Sequence, residues 1–171
     1  MKSQTFDKAK WHYDTPSAPT GISHEAGATH IAFFLRWCVE KDFASKEMVR
    51  EHANELEQIK NKTLDGREFI LDCLDGAFTT DELNTRGVLF AIAYYGRENT
   101  KFAQTYGTYT GDYDELVKSK LTTTNIDSSD DSAYFYVENS EENYEIVKSV
   151  IDKRYEEFLS LKKRNYKSGK N

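Results

Sequence analysis

Apolar residues recur at helical spacing through most of the chain, and two stretches are apolar on nearly every side. From Thr29 to about Lys41, Ile31, Phe34, Leu35 and Cys38 follow an i, i+3, i+4, i+7 stripe that Phe33, Trp37 and Val39 widen, so a central, nearly surrounded helix capped by Thr29 is expected. Ser45 caps a second helix, in which Met48, Val49, His52, Leu56 and Ile59 form one stripe beneath a charged outer face; this helix lies on the surface. Thr63 or Asp65 opens a third, shorter helix with Phe69, Ile70, Cys73 and Leu74 inward, and Gly76 stands where a left-handed C-terminal residue is wanted. Thr80 starts a fourth, ending at Gly96, whose second half from Val88 to Tyr95 is apolar all round.

Beyond Arg97 the pattern weakens. FAQTYGTYTGDY (102–113) alternates aromatic and small polar residues in the manner of a turn or short strand pair, DELVKSKL supplies a helical turn or two, and AYFYV (133–137) has the β-propensity of a short strand. Asn139 with Glu142 matches a capping box for a last helix, to about Arg164, with Tyr144, Val147, Ile151, Phe158 and Leu161 inward. At the other end TPSAPTGISHEAG (15–27) holds both prolines and reads as a loop that separates an N-terminal arm from the body. The expected fold is mainly α: one domain over 1–171, a bundle of about five helices with an irregular or short-stranded segment near 97–139. Residues 1–27 are its arm and loop, and 165–171 a frayed basic tail.

Composition adds limits. A net charge of −6 argues against a nucleic-acid-binding or anionic-membrane surface, which needs clustered lysine and arginine. No apolar run approaches the roughly 18 residues of a membrane span, and the opening MKSQTFDKAKWHY lacks the apolar core of a secretory signal. Cys38 and Cys73 lie in apolar helical patterns and are expected as buried, inert free thiols of a reduced, cytoplasmic protein.

Signatures of chemistry fail on inspection. His24 and Glu25 begin H-E-x-x-H, but Ala28 stands where the second histidine must be. Asp127, Ser129, Asp131 and Glu138 have the spacing of a calcium loop, but Ser132 occupies its glycine position. Neither a phosphate cradle, a nucleophile elbow nor a C-x-x-C pair is present, so no metal, cofactor or catalytic residue is expected. His52, on its apolar stripe, reads as a core histidine. Trp11, His12 and Tyr13 in the arm, with His30 and Trp37 on the central helix, either dock the arm as packing or line a pocket in which His12 and His30 converge.

Charge distribution is more informative. Gly111 to Glu145 carries ten acidic residues against two lysines, a local net charge of −8 that exceeds the whole chain's. Tyrosines are interleaved with them, and rings that combine apolar area with a polar tip are common interface anchors. The expected contact surface comprises Tyr109, Asp112, Tyr113, Asp114, Asp127, Asp130, Asp131, Tyr134, Tyr136, Glu138 and Glu141, and suits a basic protein partner.

FDKAKWHYD, ATHIAFFLRWCVEKDF, FILDCLDG with TTDELNTRGVLFAIAYY, and ENSEENYEIVKSVIDKRYEEF together resemble an uncharacterised family of small bacterial proteins. Phe6 stands where that pattern commonly has tyrosine, and Ser140-Glu141 replaces a tryptophan-containing pair. Similar proteins are often encoded beside polymorphic toxins, so the resemblance implies an immunity protein that binds and neutralises a cognate toxin with a basic cleft. It also marks Trp11, His12, Tyr13, His30 and Trp37 as the family-like residues. The rival expectation is a small hydrolase-like enzyme that reverses a toxin's modification from a His12/His30 pocket.

Overall fold

A computed structural model describes residues 3–96 and 99–168. Its elements are β1 (Thr5–Lys8), α1 (Ala9–Tyr13), α2 (Thr29–Glu40), α3 (Lys46–Lys60), α4 (Gly66–Cys73), β2 (Ala77–Thr79), α5 (Thr85–Tyr94), α6 (Lys101–Tyr106), α7 (Tyr109–Ser119) and α8 (Glu141–Ser168), with 3-10 turns at His24–Gly27 and Ala133–Tyr136. The chain is thus mainly helical, as its periodicity predicts. Helix α2 is the axis. Of its twelve residues only Arg36 and Glu40 escape full burial, and α3, α4 and α8 pack around it.

The core is aromatic. The Phe34 ring meets Trp37, Phe78, Phe90, Tyr94, Tyr95 and Tyr109 at centroid separations of 4.8–6.3 Å, tying α2 to β2, α5 and α7. Tilted and edge-on pairs at such distances add to the stabilisation from buried area. Trp37 is fully buried and donates from Nε1 to Asp152 of α8 at 3.0 Å.

Caps follow sequence chemistry at some ends and correct it at others. Ser45 accepts from the Met48 amide and Asp65 from that of Arg67, and Gly76 has φ +68°. Helix α2, however, has Ala28 at its N-cap, with the Thr29 hydroxyl turned back to the Glu25 carbonyl. Helix α5 begins five residues later than Thr80, capped by Asn84, because Ala77–Thr79 pairs with the arm instead. The last helix is capped by Ser140, whose hydroxyl accepts from the Asn143 amide, rather than by Asn139. It continues to Ser168; residues 169–171 of the expected tail lie outside those described.

Four local expectations are overturned. The segment read as a turn or strand pair forms α6 and α7, with Thr100 and Thr108 as caps and Gly107 (φ +93°) as the break, while AYFYV is a 3-10 turn. Phe102, Tyr106, Tyr109 and Tyr113 are three or four residues apart, a helical spacing that the intervening threonines and glycines disguise. Cys38 is buried and its thiol pushed up by burial, as expected, but Cys73 is exposed at the end of α4. Val49, too, is half exposed, and α3 has a non-helical residue at His52 (φ −130°).

The arm is docked. β1 pairs antiparallel with β2, Thr5 facing Thr79 and Asp7 facing Phe78, with an irregular register between Thr5 and Asp7. Strict alternation would send Phe6 and Asp7 to opposite faces. Here both reach Tyr95, the first through its ring and the second through a hydrogen bond, which is how a bulge re-aims a side chain. The Ala9 amide then donates to the Gly76 carbonyl, and a Cβ built on Gly27 would lie 2.7 Å from the Ala9 carbonyl oxygen, so only glycine admits this approach.

Candidate functional site: a buried aspartate between two histidines

Asp7 lies at the end of the docked arm with 4 % of its surface exposed. Its Oδ1 accepts from His12 Nε2 at 2.7 Å and from the Lys8 amide at 2.7 Å. Its Oδ2 accepts from His30 Nε2 at 3.0 Å and from the Tyr95 hydroxyl at 2.9 Å. Burial alone would raise this carboxyl, but the hydrogen bonds from His12 and His30 outweigh it and hold it far below the usual carboxylate range. The group is therefore a buried anion saturated by four donors.

The bulge turns Asp7 inward, α1 brings His12 back over it within one helical turn, and the start of α2 supplies His30. The two imidazoles meet edge to face at 4.4 Å, and Tyr134 packs against both, at 5.7 Å from His12 and 5.1 Å from His30. Burial dominates at His30 and lowers its pKa despite the Asp7 bond, so the ring is neutral, donates through Nε2–H and leaves Nδ1 as a bare lone pair. That Nδ1 and the hydroxyls of Tyr113 and Tyr134 are buried without a hydrogen-bond partner among the described residues. The Tyr109 hydroxyl is spoken for, donating to the His30 carbonyl at 2.6 Å. Such a cluster can hold a proton on an oriented imidazole, or a cation at the Asp7 carboxylate and the two imidazoles, whose ligand atoms lie within 4.8 Å of one another.

Of the five residues expected to share a pocket, His12 and His30 do converge. Trp37 lies in the core against Phe43, Phe90 and Tyr155; Tyr13 stacks on His24 at 4.1 Å; Trp11 faces solvent, 53 % exposed. Asp7 and Tyr95, which organise the cluster, were missed. Asp7 precedes His12 by five residues, a separation that matters only once a strand turns directly into a helix, and Asp14, two residues after His12, is the nearer carboxylate in sequence.

The acidic segment divides. Asp114, Val117 and Lys118 of α7 with Ser128, Asp130, Asp131 and Tyr134 line a cleft of about 190 Å³, floored by the tyrosine that covers the histidines. Asp127 is exposed beside it and, like Asp130, accepts from the backbone and hydroxyl of the serine two residues on; those bonds lower both pKa values. The other expected contact residues are placed differently. Tyr109 and Tyr113 are 1 % exposed and belong to the core, because α7 turns them inward. Asp112 is clamped by Arg154 at 2.7 and 2.9 Å and accepts from Tyr94. Glu141 chelates Arg36 at 2.8 and 2.9 Å and meets Lys62 at 2.7 Å. Tyr136 and Glu138, both half-buried, line a separate groove with Arg67 and Thr124.

A family model described as a domain of unknown function (DUF7832) matches residues 5–127, which include Asp7, His12, His30, Tyr95 and Asp114. Neither a curated protein nor a solved structure matches the chain significantly. Among the described residues no helix is long and apolar enough to cross a membrane.

Proposed function

Since the chain belongs to the DUF7832 family, whose description assigns no activity, its role has to come from its own groups, and we propose a cytoplasmic immunity protein that neutralises a cognate toxin by covering a basic cleft. The observation that carries this reading is the cleft in which exposed Asp114, Asp130 and Asp131 gather around the Tyr134 ring. Unlike Asp112 and Glu141, these three aspartates form no close ion pair with lysine or arginine among the described residues; Lys118 lines the cleft and acts on Asp114, which leaves Asp130 and Asp131 as the charges that a partner would meet. Anionic groups arranged in this way steer a cationic surface into encounter, and a ring at the centre supplies an anchor. Trp11, the most exposed of the large apolar side chains among the described residues, is a second candidate anchor.

The test is co-expression with the product of the neighbouring gene, followed by association kinetics on the purified pair. Asp130→Lys with Asp131→Lys should abolish protection and slow association by about tenfold or more at low salt, with the effect shrinking as salt screens it. Unchanged protection and salt-independent association by the doubly reversed protein would overturn the reading.

A specific observation also favours a second reading, in which a hydrolase-like centre undoes the toxin's modification: both imidazoles are oriented by one carboxylate. It requires protection at substoichiometric amounts that is lost in a folded His30→Gln protein. Protection that scales one to one with toxin would exclude it.

A further inference from the structure

The charge of Asp7 is incompletely matched. Its only ion-pair partners among the described residues are His12 and His30, and no lysine or arginine side chain reaches it. A buried carboxylate thus faces two imidazoles, with no permanently cationic side chain beside it among the described residues. Isolated buried charge is costly, and protein interiors pair it or bind an ion to it.

From this geometry we infer that Asp7, His12 and His30 form a binding site for a divalent first-row transition-metal ion. One ligand atom from each, two imidazole nitrogens and a carboxylate oxygen, lies within 4.8 Å of the others. An ion with bonds of about 2.1 Å closes that span with small side-chain movements, and this donor set suits zinc or ferrous iron rather than magnesium or calcium. The Nε2 atoms already point at the carboxylate, so an ion would take the place of the two hydrogens that now bridge them, each neutral ring keeping its one proton on Nδ1. The Lys8 amide and Tyr95 hydroxyl remain on the carboxylate oxygens, the outer support that fixes a ligating carboxylate. Entry is from the His12 side, since its side chain is 25 % exposed whereas that of His30 is 1 %. The site stands whether the protein inhibits by contact or by chemistry, because an ion here also staples the arm to α2.

Untagged, chelator-treated protein titrated with Zn²⁺ should bind one equivalent, with thermal unfolding moving up by roughly 5–10 °C when free metal exceeds Kd a hundredfold. Co²⁺ should give d–d absorption with the same stoichiometry. His12→Ala, at the edge of the cluster, should weaken binding by about tenfold or more. Should that variant fail to fold, nitrogen-15 spectra of the unaltered protein decide: Zn²⁺ should shift the Nε2 resonances of His12 and His30 and leave His24 and His52 unmoved. Absence of saturable binding, equal affinity in folded His12→Ala, or shifts confined to His24 or His52 would overturn the assignment.

Discussion

Gly27 shows how much one hydrogen atom can matter. The arm passes so close that an added methyl would sit 2.7 Å from the Ala9 carbonyl and 3.1 Å from the Tyr13 ring, and backbone cannot yield as a flexible side chain does. Gly27→Ala should cost about 1–3 kcal/mol by overpacking, measured by urea denaturation. Amide exchange at Ala9, whose bond to Gly76 records the docked arm, should quicken. At Asp7, an amide in place of the carboxylate would set an NH₂ against donors that now all point inward. Asp7→Asn should therefore destabilise by about 3 kcal/mol or more, and a cost below 1 kcal/mol would mean that the cluster contributes little to stability.

At the scale of elements, α8 is fastened by polar groups at its N-terminal end. Asn143 is fully buried; its amide donates to the Thr122 and Glu138 carbonyls while its oxygen accepts from the Thr122 amide, closing both ends of the loop from 121 to 140. That loop carries Asp130 and Asp131, so fold and proposed contact surface meet in one side chain. Asn143→Ala strands three backbone groups and should cost about 1–3 kcal/mol, with loss of exchange protection at Thr122. Glu141 fastens the same end to α2 and to the turn after α3. Hydrogen bonds from Arg36, opposed by partial burial and reinforced by Lys62, lower its pKa from 4.5 to about 2. A depressed carboxylate stabilises above its unfolded pKa and loses that contribution as pH falls through the folded value. The difference between wild type and Glu141→Gln should hence be constant above about pH 5 and vanish towards pH 2. It should stay below about 1 kcal/mol because the carboxylate is 41 % exposed. Denaturant titrations across pH 2–7 check both the sign and the window.

Over the whole molecule, Phe34 is where α2, β2, α5 and α7 touch, so its removal should be felt everywhere rather than locally. Phe34→Ala is expected to cost about 3–5 kcal/mol, a large share of the 5–15 kcal/mol typical of a domain, and near-ultraviolet circular dichroism should lose amplitude as the aromatic stack loosens. The acidic segment also changes meaning at this scale. Ten carboxylates in one stretch of sequence look like one surface, but Arg154, Arg36 and Lys62 arrive from elsewhere in the chain and neutralise Asp112 and Glu141. Asp114, Asp130 and Asp131 remain in one cleft.

What the chain's own pattern determined was the helical class, the central place of α2, and the cap at Ser45, with Asp65 one of two candidate caps for α4. These depend on periodicity and on contacts a few residues long, which a linear reading contains. Pairing of the arm with Ala77–Thr79 joins residues some seventy positions apart and has no local signal, so no strand is expected there, and the helix expected from Thr80 begins only at Thr85. The convergence of His12 and His30 was anticipated only as one of two options, and Asp7 between them not at all. A bulge in that long-range pairing decides which way the carboxylate faces, and only the folded chain could settle it.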